Sequence, residues 1–124
     1  MMGTRFITSA ESPVHVNVKQ AIAEATETVS LEPVKKGIMM RFVRNEVADA
    51  VARGDIDPKG QPYAGPVLEM FDSGDLSLAM VGAGESAALL SEIKPAAEII
   101  DETVTGFWQE IERLTALLGP CAMG

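Results

Sequence analysis

Histidine and cysteine are almost absent: the 124 residues hold one of each, and this excludes several chemistries at once. A lone Cys121 cannot close an internal disulfide, which suits a reducing compartment, and no charged neighbour is placed to turn it into a reactive thiolate. One histidine and one cysteine far apart cannot assemble the clustered ligands that zinc requires, and the acidic residues lack calcium-loop spacing, so no metal is expected. Positive charge is scarce too. Ten Lys and Arg against 18 Asp and Glu leave a net charge of −8, which repels nucleic acid and anionic membrane surfaces. No apolar run approaches the roughly eighteen residues of a membrane span, and the N-terminus has no apolar signal-peptide region, so a cytoplasmic protein is expected. Internal repeats and low-complexity tracts are missing as well.

What remains is a chain that is 47% hydrophobic, enough to bury a core. Met2 to Ile7 reads as the end of a buried strand, whose Gly3-Thr4 step would offer bare backbone N–H groups to a ligand. A polar turn follows. Ser12 can then cap a helix with Pro13 at its first position, and Val18, Ala21, Ile22 and Ala25 mark its inward face, with Lys19 and Glu24 off that stripe. Thr26 to Pro33 ends this helix, and Val34 to Val43 suits a short extended segment. Asn45 is a good N-cap for a small helix carrying Val47, Ala50 and Val51 on one face and stopped by Gly54.

Asp55 to Pro66 holds too many prolines and glycines for a regular element and reads as a loop. Pro66 and Gly74 bracket a helix over 67–73, with Val67, Met70 and Phe71 facing in. An apolar run, Leu76 to Val81, leads to Gly82-Ala83-Gly84, after which 85–93 reads as a helix. Pro95 opens the longest one. Along it Ala97, Ile100, Val104, Phe107, Ile111, Leu114 and Leu118 recur at alternating spacings of three and four. Such a seam either docks a terminal helix on its own domain or pairs with a partner helix, and Gly106 weakens the second case.

The only side chain suited to proton transfer near neutral pH is His15. It stands in the first turn of a helix, where the protonated form is disfavoured, with no acidic partner, so a structural hydrogen bond is expected. Gly82-Ala83-Gly84-Glu85-Ser86-Ala87 satisfies the dinucleotide pattern G-x-G-x-x-A. The pattern also needs a second strand ending in an acidic residue, whereas Asp101 and Glu102 fall inside the long helix.

Met2-Gly3-Thr4-Arg5-Phe6, Glu11 to His15, Val18 to Ile22, Arg41-Phe42-Val43-Arg44-Asn45, Gly82-Ala83-Gly84 and Ile93 to Pro95 together resemble the nitronate monooxygenases. These FMN-dependent (β/α)8 TIM-barrel enzymes are also called 2-nitropropane dioxygenases. The resemblance covers most of the chain but only about the last third of the family's length, since a complete barrel takes roughly 250 residues. It implies an α/β fold: a C-terminal fragment of an FMN-binding TIM barrel, mostly helical in this piece. Residues 1–33 would be the last barrel strand and its helix, 34–93 an insertion of helices and loops returning to the flavin mouth, and 94–124 the long C-terminal helix. Met1 would then be a start placed by truncation, a split gene or gene calling.

The resemblance further implies FMN as cofactor, with Met2, Gly3 and Thr4 at its phosphate and Gly82, Ala83 and Gly84 beside the ring. Arg5 would point into the fold as an ion-pairing residue. Gly82 stands where relatives often carry serine, and Ala87-Ala88 where they carry Gln-Gly. No catalytic residue is expected, because the family's catalytic histidine belongs to an earlier strand and His15 does not match it. The implied reaction is oxidation of an alkyl nitronate by flavin and O₂ to a carbonyl compound and nitrite. Related barrels reduce unsaturated acyl thioesters, which gives a second substrate class. The expected partners are a small-molecule substrate and the missing N-terminal barrel portion or a second chain, a second copy included. A different class remains open: a non-catalytic helical module that pairs through the seam.

Overall fold

The structure is a computed structural model and describes residues 2–32, 37–57 and 64–118. Its element order is α1 (Gly3–Ile7), α2 (Val16–Ala23), β1 (Thr28–Leu31), β2 (Met40–Val43), α3 (Glu46–Arg53), α4 (Ala64–Ser73), a 3-10 helix (Glu85–Leu89) and α5 (Ala96–Leu118). Cys121 and positions 58–63 of the expected loop lie outside the described residues.

The two strands pair antiparallel, Thr28 opposite Val43 and Leu31 opposite Met40. Successive residues of a strand face opposite sides, and β2 uses this to divide the core. Val43 joins a cluster with Val18, Ile22, Met70, Val81, Ala83 and Ala87, whereas Phe42 joins Ala48 and Met80. Each fully buried Val18, Ile22 or Phe42 stabilises the fold by about 1.5–3 kcal/mol. The chain returns along β2 at 81–83: Val43 N–H donates to the Val81 carbonyl at 2.8 Å, Ala83 N–H donates to the Arg41 carbonyl at 3.1 Å, and Phe42 and Gly82 form an antiparallel bridge. The apolar run Leu76 to Val81 therefore ends in a sheet-like contact.

Several local expectations change. The opening residues form α1 instead of a strand end. Phe6 N–H turns back to the Met2 carbonyl at 3.3 Å instead. Helix α2 starts later than Ser12 and is capped by His15, whose Nδ1 accepts from Asn17 N–H at 3.2 Å and whose own N–H donates to the Phe71 carbonyl at 2.8 Å. Lys19 is buried, not off the packed face: its stem lies inside and its Nζ donates to the Ala10 carbonyl at 3.1 Å. Thr26 to Pro33 contains β1, which a search for helix endings passes over. The expected helix over 85–93 is only the five-residue 3-10 turn.

The small helices otherwise follow their local signals. Asn45 caps α3 through Ala48 N–H, and Gly54 closes it with φ 82°. Helix α4 begins at Ala64, so Pro66 falls in its first turn, where a missing N–H costs nothing. Gly74 ends it with φ 75°, and a side chain there would meet the His15 ring at 2.0 Å. That close approach makes a glycine obligatory.

Among the described residues, helix α5 is anchored only at its start. Glu11 Oε2 accepts Ala96 N–H at 2.8 Å, and Ile99 alone in the helix is buried. The seam from Ala97 to Leu118 does not dock on its own domain; its residues are exposed. No helix of the described residues is long and apolar enough to cross a membrane.

Candidate functional site

Thr4 and Gly84 stand eighty positions apart and meet in space. The Gly84 N–H donates to Thr4 Oγ1 at 2.8 Å, which ties α1 to the turn that starts the 3-10 helix. A Cβ on Gly84 would come within 3.3 Å of that oxygen and displace it by a few tenths of an ångström. Beside it lies a cavity of about 430 Å³ lined by Met2, Gly3, Thr4, Arg5, Gly84, Ser86, Leu89 and Leu90.

Among the described residues, the uncommitted donors in this cavity are neutral. No side chain caps α1 at Met2, and Gly3 has open space where a Cβ would be, so a ligand can come close to the backbone there. The Thr4 oxygen accepts from Gly84 and keeps its own proton to donate. Arg5, the one cation of the lining, is already committed: its Nη1 donates to the Glu92 carbonyl at 2.9 Å, and its Nη2 lies 3.8 Å from Glu102. Behind it the Lys94 ammonium contacts Glu92 at 2.9 Å, Glu98 at 3.4 Å and Glu102. Hydrogen bonds to Glu102 and Glu92 hold Lys94 above its ordinary value and keep it charged. This pair of cations fastens α1 to the start of α5, so neither of the two is spare for a ligand.

The six residues assigned to the cofactor thus separate. Met2, Gly3, Thr4 and Gly84 line one cavity. Gly82 and Ala83 do not line it, because their backbone is used against β2 and Ala83 is buried. Ser86 and Leu89 line the cavity and were not singled out from the sequence. Their helical position was legible, but nothing local marks which face a short 3-10 turn presents. His15 makes the structural hydrogen bond expected of it. The G-x-G-x-x-A stretch precedes a 3-10 turn instead of a full helix, and Glu102 is engaged by Lys94.

Two solved structures share this arrangement of elements. FabK from Thermotoga maritima is 29% identical with a TM-score of 0.80, and a single-residue mutant of it is 28% identical with a TM-score of 0.75. Both alignments cover 92% of this chain. The chain folds as a C-terminal portion of a TIM-barrel flavoenzyme. It spans 38% and 35% of the two FabK chains, about a third of their length. No family model and no curated protein matches it. The mostly helical composition follows from this correspondence, since a third of a barrel carries few of its strands.

Proposed function

We propose that this chain supplies one wall of the cofactor site in an FMN-dependent oxidoreductase. The single observation that carries the reading is the Thr4–Gly84 clasp, which gathers four of the six residues assigned to the cofactor around one cavity. The donor set fits the phosphate end of FMN: backbone N–H groups at Gly3 and Thr4 and one hydroxyl proton can meet anionic oxygens without a cation. It does not extend to the ring, because Gly82 and Ala83 are turned toward β2. When bound, FMN supplies the redox chemistry, while the chain's own residues hold and orient it.

Two substrate classes follow from two observations. Similarity to FabK, an enoyl-ACP reductase, supports reduction of unsaturated acyl thioesters. Resemblance at Met2 to Phe6 and Arg41 to Asn45 supports oxidation of alkyl nitronates with O₂. Co-expression with the upstream portion of a FabK barrel, followed by an absorbance scan, tests the common part. A purified complex with a flavin spectrum supports it; a stable complex without flavin overturns it. Thr4→Val should lower flavin retention about tenfold, by loss of one hydrogen bond to a charged group, whereas Thr4→Ser should keep it. The loaded complex then separates the substrates. Nicotinamide-driven loss of an enoyl thioester without O₂ identifies the reductase, and nitronate-dependent O₂ uptake identifies the monooxygenase.

A further inference from the structure

Helix α5 carries a feature that the flavin site does not use. Ile100, Val104, Phe107, Ile111, Leu114 and Leu118 are each between 41% and 67% exposed, on a helix whose only buried residue is Ile99. Trp108 and Leu117 widen the strip, at 59% and 71% exposed. Together these side chains expose on the order of 900 Å², above the roughly 300–600 Å² of the largest apolar patch on a typical monomer and near the 800 Å² each partner gives to a stable interface. Their spacing of three and four is the knobs-into-holes pattern that another helix fills. Ile99 lies about 100° around the helix from the centre of this seam, so packing on the chain's own domain leaves the seam open.

We propose that the seam pairs antiparallel with α5 of a second copy of this chain. Charge selects the orientation. Parallel pairing would bring two acidic bodies to the same end of the helix pair, with Glu98, Asp101 and Glu102 of one copy beside those of the other. Antiparallel pairing puts them at opposite ends of a helix of 23 residues, about 34 Å long. One antiparallel register seats every large seam residue: Ile100 against the partner's Leu118, Val104 against the partner's Leu114, and Phe107 against the partner's Ile111. Trp108 then meets its own counterpart across the axis. Glu110 also falls near its counterpart, and Arg113 already pairs with it within each copy. Of the remaining flanking positions, Thr103 meets the partner's Leu117 and Asp101 meets the partner's Thr115, so no second like-charged pair faces across the interface.

Sedimentation velocity and light scattering on the 124-residue protein test this directly. The expected mass is twice 13.2 kDa. Phe107→Glu and Leu114→Glu, both at exposed positions, should weaken the dimer at least about a hundredfold, the loss expected for a central contact. Unchanged far-ultraviolet circular dichroism in those variants shows that the chain still folds. With Cys121→Ser removing the native thiol, Trp108→Cys should cross-link on oxidation, while Ala97→Cys should not. A monomeric wild type, a dimer that survives both glutamates, or cross-linking through Ala97→Cys overturns the proposal. It is equally overturned if the seam variants lose binding to an upstream barrel portion, because the seam's occupant is then that portion. Flavin content plays no part in these readouts, so this inference and the cofactor assignment fail separately.

Discussion

Asn45 satisfies three backbone groups at once. Its Oδ1 accepts from Ala48 N–H at 2.9 Å, while its Nδ2 donates to the carbonyls of Leu76 and Ala79 at 3.3 and 3.2 Å. The first bond starts α3, and the other two hold the strand-like return beside β2. Asn45→Ser keeps a cap and loses both donations, whereas Asn45→Ala loses all three. Urea melts should therefore rank wild type above Asn45→Ser and Asn45→Ala last, with the cap alone contributing about 0.5–2 kcal/mol. Equal stability of wild type and Asn45→Ser would show that the tether to 76–79 does nothing. Asp75 works nearby on a smaller scale. The Ser77 hydroxyl and N–H both donate to its Oδ1, at 2.7 and 2.9 Å, and hold its carboxyl below the ordinary value of 3.8. A depressed folded pKa contributes stability above 3.8 that disappears as pH falls through the folded value. Asp75→Asn should flatten that acid limb slightly in a pH series of thermal melts, the effect being small because the group is exposed.

At the scale of elements, the helices whose ends are decided by local chemistry were legible. Asn45 and Gly54 bracket α3, and Gly74 closes α4, because a side-chain acceptor and a left-handed backbone act within one turn. Elements decided by distant partners were not. Thr28 to Leu31 becomes a strand only because Met40 to Val43 lies beside it, and nothing local to Gly3 to Ile7 separates the short helix it forms from a strand end. The clasp between Thr4 and Gly84 belongs to the same kind: each residue was marked by resemblance, but only the fold sets them 2.8 Å apart. Glycine shows the contrast in one substitution. Gly106 sits in α5 with open space around it and no positive φ, so Gly106→Ala should raise helix stability by about 0.5–1 kcal/mol, read as a higher thermal midpoint. Gly54→Ala, at φ 82°, should lower it instead. A lower midpoint for Gly106→Ala would mean that α5 is held by something that approaches it closely at that point.

For the molecule as a whole, two groups of exposed apolar residues bear on its partners. Met2 (43% exposed), Phe6 (38%) and Leu89 (85%) belong to the start of the chain, α1 and the 3-10 turn that packs on it, and the second group is the α5 seam. In a barrel the first region would face neighbouring strands and helices, since closure requires about eight strands and the described residues pair only two. Alone, the chain should show neither nitronate-dependent O₂ uptake nor enoyl-thioester reduction, because it has no closed barrel to enclose a substrate. Hydrogen exchange can then assign each region its occupant. Adding an upstream barrel portion should slow exchange in α1 and in 85–89 without altering 100–118. Raising the concentration of the chain by itself should slow 100–118 and leave α1 unchanged. Protection of both regions by the barrel portion alone would make α5 part of the barrel's own packing. Protection of neither would mean that the exposed strip around Met2 and Leu89 has no role in completing a barrel, and the cofactor wall would lose its support.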